Sequence, residues 1–230
     1  MEIIRSRKYN GELSCRLCFS SSPGNFVSGG DNREHFICQR CSLINTVETH
    51  FMSPEKERAR YILHRNSPED KLYRAFLAQA IDPAMKFIAE GERGLDYGCG
   101  TSPVLSEMLA EQGLRCAYYD PFFFPACPPG PFGYVFATET AEHFFNPAKE
   151  LERMNGLLKT GGILVIMTER WEDLDKFQAW HYAKDPTHVC FYHAATFDFI
   201  SERFSFEKIF DDGKRVVIFR KKNKTGRSIF

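Results

Sequence analysis

The sequence has no excess of charge of either sign. Its 230 residues include 30 Lys and Arg and 30 Asp and Glu, so the formal net charge at pH 7 is zero. Such a chain has no overall field that would draw it to nucleic acid or to an anionic membrane. Any affinity of that kind must therefore come from a local patch.

A long apolar run is also missing. The longest purely aliphatic stretch, Ile163 to Met167, is far shorter than the roughly 20 residues that a membrane-spanning helix needs. The charged start, Met1 to Arg5, is not followed by the apolar stretch of a signal peptide. We therefore expect a protein that does not enter a membrane and that works in the cytoplasm.

The composition excludes several non-globular classes. Hydrophobic residues make up 43% of the chain and charged residues 26%, which argues against a disordered, collagen-like or coiled-coil protein. The length indicates one medium-sized domain with a small appendage. Aromatic residues reach 14%, enough to line a binding pocket as well as to fill a core.

Half of the eight cysteines form a metal-binding pattern near the start of the chain. Cys15-x-x-Cys18 and Cys38-x-x-Cys41 are two pairs with 19 residues between them. Four thiolates match the tetrahedral coordination of Zn²⁺ and leave no open position, so we predict a structural zinc ribbon over residues 1–50. An iron site and unliganded core cysteines are the alternatives. The other four cysteines have no paired spacing, and we expect them to be buried thiols.

Residues 51–93 are expected to form a helical connector or lid between the ribbon and the main domain. Ser53-Pro54-Glu55 and Ser67-Pro68-Glu69 are typical helix starts, each with an N-cap serine and a proline at the first helical position. Apolar residues at helical spacing from Leu72 to Ile81 predict a helix after the second start.

From Gly94 onward, strand and helix signals alternate, which is typical of a parallel α/β sheet. A helix is expected after Pro103 and another from about Pro147 to Leu158. The predicted strands are Gly94 to Tyr97, Arg115 to Tyr119, Tyr134 to Ala137, Ile163 to Thr168, and Val216 to Phe219.

The glycine turn after the first of these strands has the pattern of a ligand-binding loop. Asp96-Tyr97-Gly98-Cys99-Gly100 lies between a strand and a helix, where glycines let the backbone approach a ligand and the helix offers free N–H groups. Asp120 ends the next strand, where a carboxylate can accept both hydroxyls of a ribose. Together they indicate a nucleoside-containing cofactor. A tight turn followed by a helix-capping aspartate is the alternative.

These residues resemble class I S-adenosylmethionine-dependent methyltransferases, particularly the bacterial small-molecule branch with an N-terminal zinc-binding segment. The resemblance covers nearly the whole chain. Leu95 to Gly100 is similar to the cofactor loop of that family, Tyr119-Asp120-Pro121 to its ribose-binding strand end, Thr138 to His143 to the segment after its fourth strand, and Leu158 to Leu164 to the turn before its fifth. It implies an α/β fold with a Rossmann-like, doubly wound sheet over residues 94–230.

The resemblance also implies the cofactor, S-adenosylmethionine, and its contacts. Asp96, Gly98 and Gly100 would hold its methionine part, Asp120 its ribose, and the segment after the fourth strand its sulfonium region. Phe122 or Phe123 is expected to pack on the adenine, because the usual third strand is short or missing between Asp120 and Tyr134. The full predicted set is Asp96, Tyr97, Gly98, Cys99, Gly100, Asp120, Pro121, Phe122, Thr138 and Glu139.

The densest set of polar aromatic residues, Trp180 to Tyr192, follows the predicted fifth strand, where methyltransferases of this class build substrate lids. Methyl transfer requires an oriented acceptor and, for a hydroxyl or an acidic carbon, removal of a proton near neutral pH. Histidine suits that task. We predict His188 as the base with Asp185 as its orienting partner, and His143 as the next candidate. A packed or solvated histidine is the alternative for each.

The predicted function is methyl transfer to a small-molecule acceptor. An RNA methyltransferase whose ribbon grips phosphates is one alternative, although the ribbon offers only Arg16, Arg33 and Arg40. A non-enzymatic interaction module is the other, and the intact Asp96 and Asp120 argue against it. No tract of the sequence is typical of a dimer interface.

Overall fold

The structure is a computed structural model that describes residues 13–21, 23–63 and 66–223. Residues 1–12 of the predicted ribbon lie outside this part of the chain. The strands are β1 (Pro23–Ser28), β2 (Glu34–Cys38), β3 (Ile44–Thr46), β4 (Arg93–Tyr97), β5 (Arg115–Tyr119), β6 (Phe132–Thr138), β7 (Leu158–Met167), β8 (Cys190–Phe191), β9 (Phe206–Asp211) and β10 (Val216–Lys221). The helices are α1 (Pro54–Ile62), α2 (Lys71–Ala84), α3 (Val104–Glu111), α4 (Pro147–Leu157), α5 (Leu174–Phe177) and α6 (Ala194–Arg203).

The larger sheet, which we call the main sheet, has the strand order β5-β4-β6-β7-β10-β9. Strands β5, β4, β6 and β7 run parallel, and β10 is antiparallel to both of its neighbours. In β7, Ile163 and Val165 pack against α2 and α3, whereas Leu164 and Ile166 pack against α4 and α6 on the opposite face. Helices therefore cover both faces, which explains why the central strands are almost continuously apolar. The predicted Rossmann-like, doubly wound sheet is confirmed.

The edges of the main sheet differ most from what the sequence suggests. All five predicted strands are present, and the chain passes from β5 to β6 without a paired strand of the main sheet between them, so the missing third strand is confirmed. Strand β9, in contrast, was not predicted. It is an edge strand that carries Glu207 and Lys208 on its partly exposed positions, and its pairing with β10 is irregular. These features remove the apolar alternation by which a strand is recognised.

Of the two helix starts predicted in residues 51–93, the structure confirms the first and shifts the second. Helix α1 begins directly after Ser53, as predicted. Helix α2 begins at Lys71 and is capped by Asp70, whose Oδ1 accepts the N–H groups of Leu72 and Tyr73 at 2.9 and 3.2 Å. The prediction of Ser67 as its cap is therefore wrong, because the carboxylate next to the helix satisfies the free N–H groups instead.

None of the described helices has the length and apolar character needed to cross a bilayer.

The smaller sheet, which we call the ribbon sheet, has the strand order β1-β2-β3-β8. Strand β8 lies in the 94–230 segment and pairs antiparallel with β3 through Ile44 and Phe191 and through Asn45 and Cys190. The segment predicted as the ribbon and the segment predicted as the methyltransferase domain thus share one sheet. The boundaries at residues 50 and 93 stay a prediction.

Candidate active site

A cavity of about 670 Å³ opens at the carboxyl ends of β4, β5 and β6, and helices α1 and α2 form part of its wall. This is the edge at which open α/β sheets bind ligands. All ten residues predicted to contact the cofactor line the cavity, as do His143 and His188. Their individual roles stay predictions, but the structure brings them together around one space.

The glycine loop is held against β5 by main-chain hydrogen bonds. The N–H groups of Gly98 and Cys99 both donate to the carbonyl of Tyr119, at 2.8 and 3.1 Å. Gly98 has φ +85°, and a Cβ placed on it would lie 2.3 Å from Cγ2 of Thr140. Glycine is therefore required at position 98 both by its backbone conformation and by a neighbouring side chain.

Asp120 has a second task besides the predicted ribose contact. Its Oδ2 accepts the N–H of Gly100 at 3.0 Å, and its Oδ1 accepts those of Phe122 and Phe123 at 2.8 and 3.1 Å. An ionised carboxylate offers about four acceptor positions, so it can still accept a ligand hydroxyl. Asp120 thus fixes the two loops between which a nucleoside would lie.

Asp96 is the most deeply buried carboxylate of the predicted cofactor set, with 2% of its surface exposed. Burial, reinforced by the charge of Asp120, raises the pKa of Asp96 to about 7. A cationic ligand group beside this carboxylate would stabilise its ionised form. The position therefore suits the ammonium group of an amino acid.

The aromatic residues of the predicted set divide into two kinds. Phe122 lines the cavity and packs 5.7 Å from the ring of Tyr61, whereas Phe123 does not line it and lies 5.3 Å below the guanidinium of Arg58. Of the two candidates for the adenine contact, the geometry therefore favours Phe122. The hydroxyl of Tyr97 is bound by Glu150 and by Arg153, so this side chain is fixed in place.

Helix α1, which lies in the predicted connector or lid, contributes two further residues to the cavity wall. Glu57 and Tyr61 line the cavity one helical turn apart, and the Tyr61 hydroxyl donates to Oε1 of Glu57 at 2.5 Å. The ring of Tyr61 stands edge-on to His143 at 5.3 Å. The spacing of four residues places the two on one helix face, and this spacing is the sequence signal that could have identified Glu57.

Asp185 does not have the predicted role. Its Oδ2 accepts Nη2 of Arg60 at 2.6 Å, and its Oδ1 accepts the N–H and the hydroxyl of Thr187 at 2.9 and 2.6 Å. Asp185 does not line the cavity, and the group that orients His188 is the carbonyl of Tyr182, which accepts Nδ1–H at 2.8 Å. The carboxylate is unsuited to orient the imidazole because it is used to attach α1 to the segment before β8.

His188 and His143 present equivalent nitrogens to the cavity. Nδ1 of His143 donates to the carbonyl of Thr187 at 3.1 Å, just as Nδ1 of His188 donates to a carbonyl, so each neutral ring keeps a lone pair on Nε2. The ring centroids are 4.8 Å apart. Burial lowers the pKa of His188 to about 4 despite the nearby Glu142, so its ring is neutral at pH 7.

Two glutamates that follow β6, Glu139 and Glu142, also line the cavity, and only Glu139 was predicted as a site residue. Burial, followed by the charge of Glu142, raises the pKa of Glu139 to about 9. Glu142 has 0% of its surface exposed, and neither of its carboxylate oxygens has a hydrogen-bond partner among the described residues. Its place directly before His143 in the sequence was the available signal.

The four predicted ligand cysteines converge on one point in the ribbon. Their sulfur atoms lie within 4.8 Å of one another, and all four residues are buried. The closest pairs, Cys15 with Cys41 and Cys18 with Cys38, are 3.5 and 3.3 Å apart, too far for disulfides. This arrangement fits a tetrahedral thiolate site.

The two Cys-x-x-Cys turns of this cluster have the same backbone geometry. Phe19 and Ser42, which follow the second cysteine of each pair, both have φ +58°. Their N–H groups donate at 2.8 Å to the carbonyls of Cys15 and Cys38. The repeated turn presents each pair of sulfur atoms in the same way.

Fold and cavity together are those of an α/β protein of the Rossmann-like class. A family model described as a methyltransferase domain matches residues 69–209, more than half of the chain. The chain belongs to this family and is a class I S-adenosylmethionine-dependent methyltransferase. The alternative of a non-enzymatic module is thereby set aside.

Solved structures with low sequence identity share the fold. The 1,6-didemethyltoxoflavin-N1-methyltransferase of Burkholderia thailandensis, solved with 1,6-didemethyltoxoflavin and S-adenosylhomocysteine, is 14% identical, with a TM-score of 0.56 over 83% of this chain and 96% of that one. A SAM-dependent methyltransferase from Archaeoglobus fulgidus is 18% identical, with a TM-score of 0.50 over 68% of this chain and 96% of that one. No curated protein matches the sequence.

Proposed function

We propose that this methyltransferase transfers the methyl group of S-adenosylmethionine to a small-molecule acceptor. The observation that carries the proposal is a single cavity that is lined both by the glycine loop and by the pair His143 and His188. Its volume of about 670 Å³ is in the usual range for small-molecule sites. The Burkholderia neighbour likewise holds a small acceptor together with the spent cofactor.

The cofactor part of the proposal follows the predicted contacts. The ammonium group of the methionine part lies by Asp96, the ribose hydroxyls by Asp120, and the ring of Phe122 against the adenine. The sulfonium then lies near Thr138 and Glu139. These positions lie at the ends of β5, β4 and β6, which are neighbours in the main sheet.

The acceptor lies beside His143 and His188, and the Nε2 atom of either ring is available to remove its proton. A neutral imidazole in this position would act as a base and take the acceptor's proton, while the acceptor atom bonds to the methyl carbon and the C–S electron pair returns to sulfur. The hydrogen bonds from Nδ1 to two main-chain carbonyls support this role because they leave Nε2 without a proton.

The ribbon is proposed to hold a structural Zn²⁺ through Cys15, Cys18, Cys38 and Cys41. Its buried, closed set of sulfur atoms supports this role. A ribbon that binds RNA has little support. Arg16 donates to the carbonyls of Phe145 and Val189, at 3.0 and 2.7 Å, and Arg33 is likewise buried. Both are engaged inside the fold, which leaves Arg40 as the exposed arginine of the ribbon's described residues.

The proposal is tested by calorimetric titration of the full-length, zinc-loaded protein with S-adenosylmethionine and S-adenosylhomocysteine. We expect both to bind, and Asp120→Asn to weaken binding at least about tenfold, equivalent to one charge-assisted hydrogen bond. Asp82→Asn, at an exposed position of α2, is the matched control and should bind as the wild type does. Absence of binding to the wild type would refute the proposal.

The acceptor class is tested with the same protein by following transfer of a labelled methyl group. Label is expected in small metabolites and absent from total RNA. Incorporation into RNA that weakens with rising salt would instead favour an RNA substrate. Because Asp120 also fixes two loops, thermal unfolding without ligand is measured for each variant.

A further inference from the structure

The cavity wall holds three side chains that can share one ion. Glu142, His143 and His188 each offer a ligand atom, and these atoms lie within 4.8 Å of one another. Oε1 of Glu142 and Nε2 of His143 are 3.8 Å apart. The first two residues belong to a short 3₁₀ turn after β6, and His188 belongs to the segment before β8. The cluster therefore joins two separate parts of the fold.

One side chain of the cluster, Glu142, lacks hydrogen-bond partners for its carboxylate within the described part of the chain. Glu142 is fully buried, and neither carboxylate oxygen has a hydrogen-bond partner among the described residues. Burial, followed by the charge of Glu142, raises the pKa of the Tyr182 hydroxyl, and this hydroxyl shares a hydrogen bond with Oγ1 of Thr168 at 3.0 Å. A buried carboxylate without a partner destabilises the fold, and a bound cation would offset this effect.

The two histidines are arranged as metal ligands usually are. Each donates Nδ1–H to a main-chain carbonyl, His143 to Thr187 and His188 to Tyr182. Hydrogen bonds of this kind fix the ring and leave Nε2 for the metal. Both histidines of the cluster have this hydrogen-bonding pattern, and it is an observation separate from the lack of hydrogen-bond partners of Glu142.

We propose that Glu142, His143 and His188 bind a divalent first-row transition metal ion at the acceptor end of the cavity. Two imidazoles and one carboxylate suit Zn²⁺, Mn²⁺ or Fe²⁺, whereas Mg²⁺ and Ca²⁺ prefer oxygen ligands alone. Three protein ligands leave positions open toward the cavity, as in catalytic metal sites. The cysteine cluster of the ribbon differs both in its ligands, which are all sulfur atoms, and in having no open coordination position.

This inference rests on the proposed function and changes one step of it. With the ion bound, both Nε2 atoms are ligands, and an acceptor hydroxyl coordinates to the metal and releases its proton to water. The resulting oxygen bonds to the methyl carbon, and the C–S electron pair returns to sulfur to give S-adenosylhomocysteine. The acceptor class is then a small molecule that carries a hydroxyl group.

The test is a titration of the full-length protein, with its ribbon zinc retained, by Mn²⁺. Thiolates favour zinc over manganese, so the electron paramagnetic resonance of free Mn²⁺ reports on the new site alone. We expect one Mn²⁺ per chain for the wild type, and binding at least about tenfold weaker for Glu142→Gln and for His188→Gln. His181→Gln, at a ring that is 79% exposed, is the matched control and should leave binding unchanged.

Protein stability and cofactor binding separate the possible failures. Thermal unfolding of the metal-free Glu142→Gln protein is measured beside the wild type, and a Tm no lower than that of the wild type shows that loss of Mn²⁺ binding is not due to unfolding. If S-adenosylhomocysteine binds but neither Mn²⁺ nor Zn²⁺ binds beyond the ribbon ion, the metal site is refuted and the proposed function stands. If Mn²⁺ binds but neither S-adenosylmethionine nor S-adenosylhomocysteine binds, the proposed function is refuted and the metal site stands. Wild-type Mn²⁺ affinity in Glu142→Gln would also overturn the site.

Discussion

Nη1 of Arg33, in the ribbon, donates a hydrogen bond to the main-chain carbonyl of His188 at 2.8 Å. The same guanidinium donates to the carbonyls of Pro186, Ala183 and Asp185, at 3.2, 2.8 and 2.7 Å. Only 8% of Arg33 is exposed. The ribbon therefore holds the main chain of His188, which lines the cavity, and the ribbon is part of the scaffold of that cavity.

Replacing this guanidinium should damage both stability and the acceptor site. Arg33→Ala leaves four carbonyls and Asp31 without their shared partner, and we expect the free energy of unfolding to fall by about 3 kcal/mol. Denaturant titration measures the change. Arg40→Ala, in the same ribbon but exposed, should stay within about 0.5 kcal/mol of the wild type. Equal effects of the two substitutions would contradict the role given to Arg33.

Removing the zinc ion proposed for the ribbon should affect the part of the cavity around His188 more than the glycine loop. The ribbon sheet includes β8, whereas the glycine loop depends on β4 and β5 of the main sheet. After zinc extraction with a thiol-directed reagent, we expect faster hydrogen exchange in β2, β3 and residues 182–191. Residues 93–100 should keep their protection.

Binding of S-adenosylhomocysteine gives an independent check on the same zinc-free protein. Its affinity should change little, while methyl transfer to any identified acceptor should be lost. Restoring zinc should restore both the exchange pattern and the activity. Uniform loss of protection across both sheets would show that the ribbon does not fold as a separable unit.

The glycine loop allows a sharp comparison between two glycines. Gly98→Ala places a Cβ against Thr140 at φ +85°, so we expect a loss of about 2 kcal/mol of stability and no measurable cofactor binding. Gly156→Ala, near the end of α4 with open space around the new methyl group, should instead stabilise the protein by about 0.5 kcal/mol. Thermal unfolding and calorimetry measure both. Cofactor binding by Gly98→Ala at wild-type strength would exclude the close approach.

The cofactor side of the cavity was accessible from the sequence because its parts are local. Asp96 and Gly98 follow one strand directly, Asp120 ends the next, and the carboxyl ends of adjacent parallel strands meet at one edge. Each residue could thus be placed from its own strand. The extra hydrogen bonds of Asp120 to Phe122 and Phe123 depend on loop geometry, which strand patterns do not contain.

The acceptor side depends on contacts between distant residues, and there the sequence was insufficient. Arg33 reaches His188 across 155 positions of the chain, and Arg60 reaches Asp185 across 125. Asp185 and His188 are close in sequence, which made them a plausible pair, yet the carboxylate bonds to α1 instead. The isolation of Glu142 follows only from packing on all sides, because no local pattern shows that a carboxylate lacks partners.

Cofactor affinity should depend on pH through Asp96. Its pKa of about 7, raised by burial and by Asp120, means that the carboxylate is largely ionised at pH 8 and largely protonated at pH 6. If it holds the ammonium group of the cofactor, the Kd for S-adenosylhomocysteine should rise about tenfold from pH 8 to pH 6. Asp96→Asn should bind S-adenosylhomocysteine weakly, and its Kd should not show the pH dependence that is due to Asp96. Any change of Kd with pH that remains in this variant measures the titration of the ligand itself. Calorimetry at the two pH values decides the matter.

The same carboxyl group should make the ligand-free protein less stable as pH rises. Its pKa in the folded state, about 7, lies above the ordinary value of 3.8, so folding favours the protonated form. The contribution of Asp96 to stability is then full below about pH 4 and is lost as the pH rises through 7. The Tm of the wild type, relative to that of Asp96→Asn, should fall over this interval, and saturating S-adenosylhomocysteine should reduce the fall because it stabilises the ionised carboxylate. A parallel pH dependence of the two proteins without ligand would show that Asp96 does not titrate in this range.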